Sequence, residues 1–144
     1  MKALVRVFPL VLAGLFLTAA VGVAKGGKSV AWSADEIQWK ESPTVKGAWS
    51  ATLWGDPSKG AYGTLRKVSA GLDLGMHSHS FDQKVVGVSG TWEFHVEGEP
   101  MKEYGPGSYI MVPGGVKHSS KCKDGADCVY FEEQPGKADF IPAK

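Results

Sequence analysis

Two histidines one residue apart, His77 and His79 in the stretch GMHSHSFDQ, are the first groups in this chain that invite chemistry. A neutral imidazole is a good ligand for borderline transition metals, and on a strand residues i and i+2 face the same side. Gln83 follows a turn and opens the next strand, where its amide oxygen can join that face. A third histidine, His118, stands behind a Pro-Gly-Gly turn in GSYIMVPGGVKHSSKC. Three imidazoles and one carbonyl oxygen make a ligand set for Fe, Mn, Ni, Cu or Zn. Taken singly, each histidine reads equally well as a core or surface residue. Three of the chain's four histidines at fixed offsets from glycines and a proline read as a site. The fourth, His95 in TWEFHVEG, reads as an ordinary strand residue.

The elements that must position these groups are short strands between turns. The alternation and the Gly/Pro punctuation predict strands at about 63–68, 83–88, 91–96, 101–104, 108–112 and 129–133. SATLWGDPSKG adds an earlier strand ending in an Asp-Pro turn. Before it, Ser33-Ala-Asp-Glu36 has the form of a short helical turn with a carboxylate three positions after its cap. Strands at such regular spacing indicate an all-β sandwich or barrel. By parity Tyr62 and Arg66 share one strand face, as do Tyr130 and Glu132. All four are candidates for contact with a substrate if those faces point inward. The tryptophans Trp32, Trp39, Trp49, Trp54 and Trp92 read as packing residues. The tail QPGKADFIPAK reads as a mobile or edge segment.

The 144 residues suffice for one compact domain with a core. Formal net charge is +1 with both signs interspersed, so nothing resembles the basic stripe of a nucleic-acid binder. Residues 1–24 combine Lys2 and Arg6 with a long apolar run and a small-residue end, the pattern of a cleaved secretory signal peptide. The chain would then be exported, periplasmic or secreted, with no stable membrane insertion after processing. The alternative is a membrane anchor formed by residues 7–24, near the lower limit of spanning length and weakened by Pro9. Residues 25–28 read as a disordered lead. The two cysteines, Cys122 and Cys128, flank an Asp-Gly turn signal at KDGAD, which predicts a hairpin. In an oxidising compartment two thiols on facing strands would pair; the other reading leaves Cys122 a free thiol beside His118.

The offsets carry a resemblance. Gly71-x5-His77-x-His79-x3-Gln83-x6-Gly90 resembles the first motif of the cupin superfamily, with Gln83 where glutamate is ordinary. Gly107-x5-Pro113-x-Gly115-x2-His118-x3-Cys122 resembles the second, with Cys122 in place of asparagine. The resemblance implies a single-domain cupin-type jelly-roll β-barrel over residues 49–134, between an N-terminal extension at 25–48 and a tail at 135–144. It also implies a divalent metal, iron foremost, held by His77, His79, Gln83 and His118; the other reading sets Gln83 just outside that shell, orienting a water. Without the glutamate such an ion keeps its full charge, which disfavours manganese and favours an anionic ligand. A Gln83→Glu change is accordingly expected to tighten manganese binding.

The function expected from this site is a metal-dependent, dioxygenase-type oxidation of a small organic substrate, anionic in character. Two alternatives stand beside it: a non-catalytic metal or small-molecule binding or sensor protein, and a lyase or isomerase using the metal as a Lewis acid. The last would need a general base, which Glu132 or Tyr130 would have to supply. A homodimer is compatible with all three.

Overall fold

A computed structural model describes residues 28–144, of which Trp32–Lys144 form one compact unit. The signal peptide expected at 1–24 and most of the lead expected after it lie outside the described residues. Among the described residues no helix is long and apolar enough to cross a membrane.

The chain enters through a single 3-10 turn at Ala34–Glu36, where the Ser33 backbone N–H donates to the Glu36 carboxylate at 2.8 Å. This is the reciprocal contact that a serine cap with a glutamate three residues on provides. Eleven short strands follow: β1 Lys40–Glu41, β2 Ala48–Gly55, β3 Tyr62–Val68, β4 His77–Ser78, β5 Gln83–Ser89, β6 Trp92–Val96, β7 Lys102–Tyr104, β8 Tyr109–Val112, β9 His118–Cys122, β10 Cys128–Gln134 and β11 Ile141–Pro142. They build two antiparallel sheets, one in the order β1-β2-β3-β10-β5-β8, the other β11-β4-β9-β6-β7. This is the expected all-β, cupin-type jelly roll.

Consecutive strands often sit in different sheets, and this corrects the hairpin expected at Asp124-Gly125. β9 pairs with β4 and β6, whereas β10 pairs with β3 and β5, so the KDGAD turn carries the chain from one sheet to the other. Cys122 and Cys128 are joined in a disulfide that ties the two sheets together. The link at Ser89-Gly90 makes the same kind of crossing, from β5 into β6. Gly90 has φ +76°, and an added Cβ would lie 2.7 Å from the Cys128 backbone. A side chain there would meet both a backbone penalty and a clash.

Val68, Trp92 and the disulfide pack together as the apolar core. A second set of buried side chains is polar. Thr64, His77, His79, Gln83, His118, Glu132 and Gln134 are all buried. Buried polar side chains must be partnered or dedicated to a ligand, so this half of the interior is where function should be sought.

Both sheets extend past residues 49–134. β1 lies at one edge of the first sheet and β11 at one edge of the second, so the tail is an edge strand. Pro142 fits there because an edge position does not require its missing N–H. The tryptophans divide. Trp92 is buried, but Trp32 and Trp54 are 49% and 45% exposed, so packing describes these two poorly. Trp39 and Trp49 instead flank the Lys67 ammonium at 5.1 and 4.7 Å.

Candidate metal centre

His77 and His118 face each other directly across the β4–β9 pairing, and His79 follows just beyond the end of β4. Each offers a ring nitrogen, and these three atoms lie within 4.8 Å of one another. The expected i, i+2 relation therefore brings His77 and His79 together although the strand itself covers only His77–Ser78. Gly114 lets the second motif close on the first: an added Cβ would lie 2.6 Å from the Ser80 carbonyl oxygen. Its N–H donates to the Asp82 carboxylate at 2.9 Å, and the Gly115 N–H donates to the His79 carbonyl at 2.8 Å.

Each histidine is oriented by a backbone carbonyl. His77 Nδ1 meets the Gly75 carbonyl at 2.8 Å, His79 Nδ1 the Asp139 carbonyl at 2.6 Å, and His118 Nδ1 the Val116 carbonyl at 3.0 Å. A carbonyl only accepts, so Nδ1 carries the hydrogen in all three rings and Nε2 is left with its lone pair. His79 Nε2 is buried without a hydrogen-bond partner. Leaving such an acceptor unsatisfied costs about 1–3 kcal/mol, a cost that a bound ion removes. The donor set thus fits a borderline divalent metal.

Burial lowers the His77 pKa to about 4; the Gly75 hydrogen bond opposes this, and the neighbouring imidazoles reinforce it. His118 is also lowered, again chiefly by burial. His77 is therefore neutral, as a ligand must be, well below neutral pH, and the His118 shift favours its neutral form too.

Gln83 lines the same cavity. Its Nε2 donates to Glu132 Oε2 at 3.1 Å. An ionised carboxylate accepts only, so this contact fixes the amide with nitrogen toward Glu132 and leaves Oε1 as its free atom. Glu132 is 2% exposed and saturated with donors. Oε1 accepts from the Tyr62 hydroxyl at 2.6 Å, Arg66 Nη2 at 3.2 Å and Gln134 Nε2 at 3.3 Å, while Oε2 also accepts from Arg66 Nε at 3.2 Å. Burial alone would raise its pKa, but the Arg66 charge and the Arg66 and Tyr62 hydrogen bonds outweigh that, and the carboxyl is held below its ordinary range.

The four substrate-contact candidates separate accordingly. Arg66, Tyr130 and Glu132 line the cavity, so those strand faces do point inward. Tyr62 does not line it: the side chain is fully buried and its hydroxyl is spent on Glu132. His95 lies on β6 away from the triad, in register with Ser119.

Sequence reasoning missed the contribution of the tail. Asp139 supplies the carbonyl for His79, its carboxylate accepts from the Ser80 N–H at 3.0 Å and from the Ser80 hydroxyl, and Phe140 stacks on His77. Asp139 and Phe140 both line the cavity. Their only sequence signal was an Asp-Phe pair in a tail with no regular pattern, sixty residues from His79.

The cavity holds roughly 430 Å³. The three histidines lie on its wall, with Trp49, Trp92, Phe94 and Ile110 among the apolar walls.

Residues 23–134 match the model of a family described as a domain of unknown function, DUF4437. The chain belongs to the DUF4437 family. No curated protein matches it. Among solved structures, this DUF4437 chain is similar to an RmlC-like cupin from Shewanella frigidimarina NCIMB 400, with 18% identity over 75% of this chain and 92% of that one and a TM-score of 0.60. The polyketide cyclase RemF from Streptomyces resistomycificus shares 17% identity over 81% and 87% of the two chains, TM-score 0.68. The DMSP lyase DddQ from Ruegeria pomeroyi DSS-3 shares 20% identity over 74% of this chain and 61% of that chain, TM-score 0.62. At these identities the likeness establishes the cupin fold.

Proposed function

We propose that this DUF4437 protein is an exported metal-dependent enzyme that carries out a dioxygenase-type oxidation of a small organic anion. The observation that carries the reading is the state of the cavity's carboxylates. Glu132 has both oxygens committed to Tyr62, Arg66, Gln83 and Gln134, and Asp139 is committed to Ser80. Burial raises the Tyr130 pKa, so that hydroxyl keeps its proton. The lyase or isomerase reading asks for a general base in the cavity, and the two residues nominated for it are a saturated carboxylate and a protonated phenol. An oxidation centred on the metal asks for no such base.

Iron held by His77, His79 and His118, with Gln83 beside them, would supply redox chemistry and Lewis acidity toward O2 and substrate. The chain's own residues supply the rest. Arg66 and Glu132 neutralise each other, and imidazoles that ligate a metal bring no charge, so the ion's positive charge stays available to an anionic group such as an enolate, carboxylate or thiolate. Trp49, Trp92 and Phe94 give the body of the substrate an apolar, water-poor surround. The Tyr130 hydroxyl, protonated and at the cavity wall, can donate a hydrogen bond to the bound anion.

Export is supported by the N-terminal pattern at 1–24 and by the Cys122–Cys128 disulfide, a bond that persists in oxidising compartments. Fractionation of cells making the full chain, with N-terminal sequencing of the product, checks it: a mature protein beginning near residue 25 is expected.

The activity is tested by loading the purified protein with Fe, Mn, Ni, Cu or Zn and following oxygen uptake against enolic and thiol substrates. Substrate-dependent oxygen uptake with iron is expected. Stoichiometric metal with no turnover on any of them would instead favour a binding or sensor role.

A further inference from the structure

The carboxylate that cupin motif spacing would place at position 83 is absent, yet a buried carboxylate touches that position from behind. β10 lies between β3 and β5, with Glu132 opposite Thr64 on one side and Val85 on the other. One pleat along each neighbour are Tyr62, Arg66 and Gln83, all turned to the same interior side as Glu132. This parity is why side chains from both neighbouring strands converge on one carboxylate. The bidentate grip of Arg66 holds Glu132 in one orientation, and Glu132 in turn holds the Gln83 amide.

We propose that Glu132 is a positioning residue for the metal centre: it locks the Gln83 amide so that oxygen, not nitrogen, is the atom presented to the metal. The inference rests on the reading of His77, His79 and His118 as ligands. Unrestrained, a glutamine amide can turn over, and the –NH2 face carries no lone pair suited to a cation. The lock removes that wrong orientation. It also leaves one negative charge behind the ligand shell rather than in it, compensated by Arg66. Gln83 thus supplies the oxygen that a ligating glutamate would, and Glu132, its charge offset by Arg66, holds that oxygen in place. The Gln83→Glu change expected above to tighten manganese binding must now be judged with Glu132 present, because it sets two carboxylates against each other at a 3.1 Å contact.

The test is metal affinity measured by titration calorimetry, with the visible spectrum of the Co(II)-loaded protein as a second readout of the ligand shell. Glu132→Gln is expected to weaken metal binding about tenfold or more, in the range found for outer-shell partners of ligands, and to shift the Co(II) spectrum. Gln83→Ala should weaken it similarly, and the double variant should be no weaker than either single one. The exchange variant Gln83→Glu/Glu132→Gln keeps a carboxylate–amide contact and one charge, and is expected to restore or exceed wild-type affinity. It also serves if Glu132→Gln alone fails to fold, since Arg66 keeps an anion nearby. A purely structural role for Glu132 predicts no such restoration. Wild-type affinity and spectrum in Glu132→Gln, or an exchange variant that binds no better than Gln83→Ala, would overturn the inference while leaving the histidine site standing. A wild-type protein that takes up none of the metals would remove the site and the inference together.

Discussion

Phe140 lies almost flat on His77, with ring centroids 4.1 Å apart and planes 20° from parallel. The residue before it, Asp139, accepts the His79 Nδ1 hydrogen through its carbonyl. Two adjacent tail residues therefore each hold one histidine of the triad, and β11 fixes them by pairing Ile141 with Ser78 and Pro142 with His77. Deleting residues 137–144 removes both supports and one edge strand while leaving the other ten strands in place. Metal affinity is expected to fall about tenfold or more, with the β-sheet circular dichroism retained. Calorimetric titration of the truncated protein checks this; unchanged affinity would mean the tail covers the site without orienting it.

Acid should weaken the metal-free fold before it protonates His77 within the folded protein. His77 has an ordinary pKa of 6.5 when unfolded and about 4 when folded, because burial penalises its charged form. The unfolded chain therefore binds more protons between these values, and His77's contribution to stability, complete above about 6.5, is lost as pH falls toward 4. His118 shifts in the same direction and adds to the loss. The folded protein keeps His77 neutral over most of that window, so the NMR shifts of its ring protons in the metal-free protein are expected to stay nearly constant from pH 7 to about pH 5.5. Denaturant melts of metal-free protein across this range, paired with NMR titration of the His77 ring, separate the two effects. A His77 ring that titrates near pH 6.5 in the folded protein would contradict its buried, neutral state.

Much of this was readable in the chain, and the unread part has one cause. The six strands with expected bounds fell within a residue or two of them because alternation and turn chemistry are local signals. His77, His79 and His118 came from short offsets between residues and the turns that aim them. What the sequence does not display is register between distant strands. The Gln83–Glu132 bond spans 49 residues, and the Asp139–His79 bond spans 60. Both depend on which strands lie side by side and in what alignment. The Asp124-Gly125 turn misled for the same reason: its chemistry is that of a turn, and only the jelly-roll order shows that the strands it joins enter different sheets. Parity placed Glu132 with Tyr130, but the choice of inward face was decided by the partners of β10.

The disulfide should contribute to stability in proportion to the small loop it closes. Cys122 and Cys128 are six residues apart, and a loop of that size loses about 2 kcal/mol of unfolded-state entropy on closure. Both sulfurs are fully buried in the core cluster with Val68 and Trp92, so their replacement also disturbs packing. Cys122→Ser/Cys128→Ser is expected to lower stability by about 2 kcal/mol or somewhat more, lowering Tm by roughly 8 °C for a domain of this size. Thermal melts of the oxidised, reduced and double-variant proteins measure it. If the pair were a free thiol site instead, added reductant would leave the melt where it was.

The two histidines at the ends of one strand pair give the sharpest contrast for the metal site. Val96 is opposite His118 in the β6–β9 pairing, and His95, one residue earlier, is opposite Ser119. The one-residue offset turns His95 to the other face of the sheet. His118→Ala removes one of three convergent nitrogens and is expected to lower metal affinity at least a hundredfold. His95→Ala, on the same pair of strands, should retain stoichiometric metal. Buried His118 touches the existing cavity, so its truncation enlarges a space that water can enter, and the loss of fold stability should be smaller than for a sealed core position. Metal content after dialysis, with circular dichroism on both variants, decides the matter. Equal retention by both would mean that the three nitrogens converge for packing alone, whereas loss confined to His118→Ala ties the metal to the face on which His77, His79 and His118 meet.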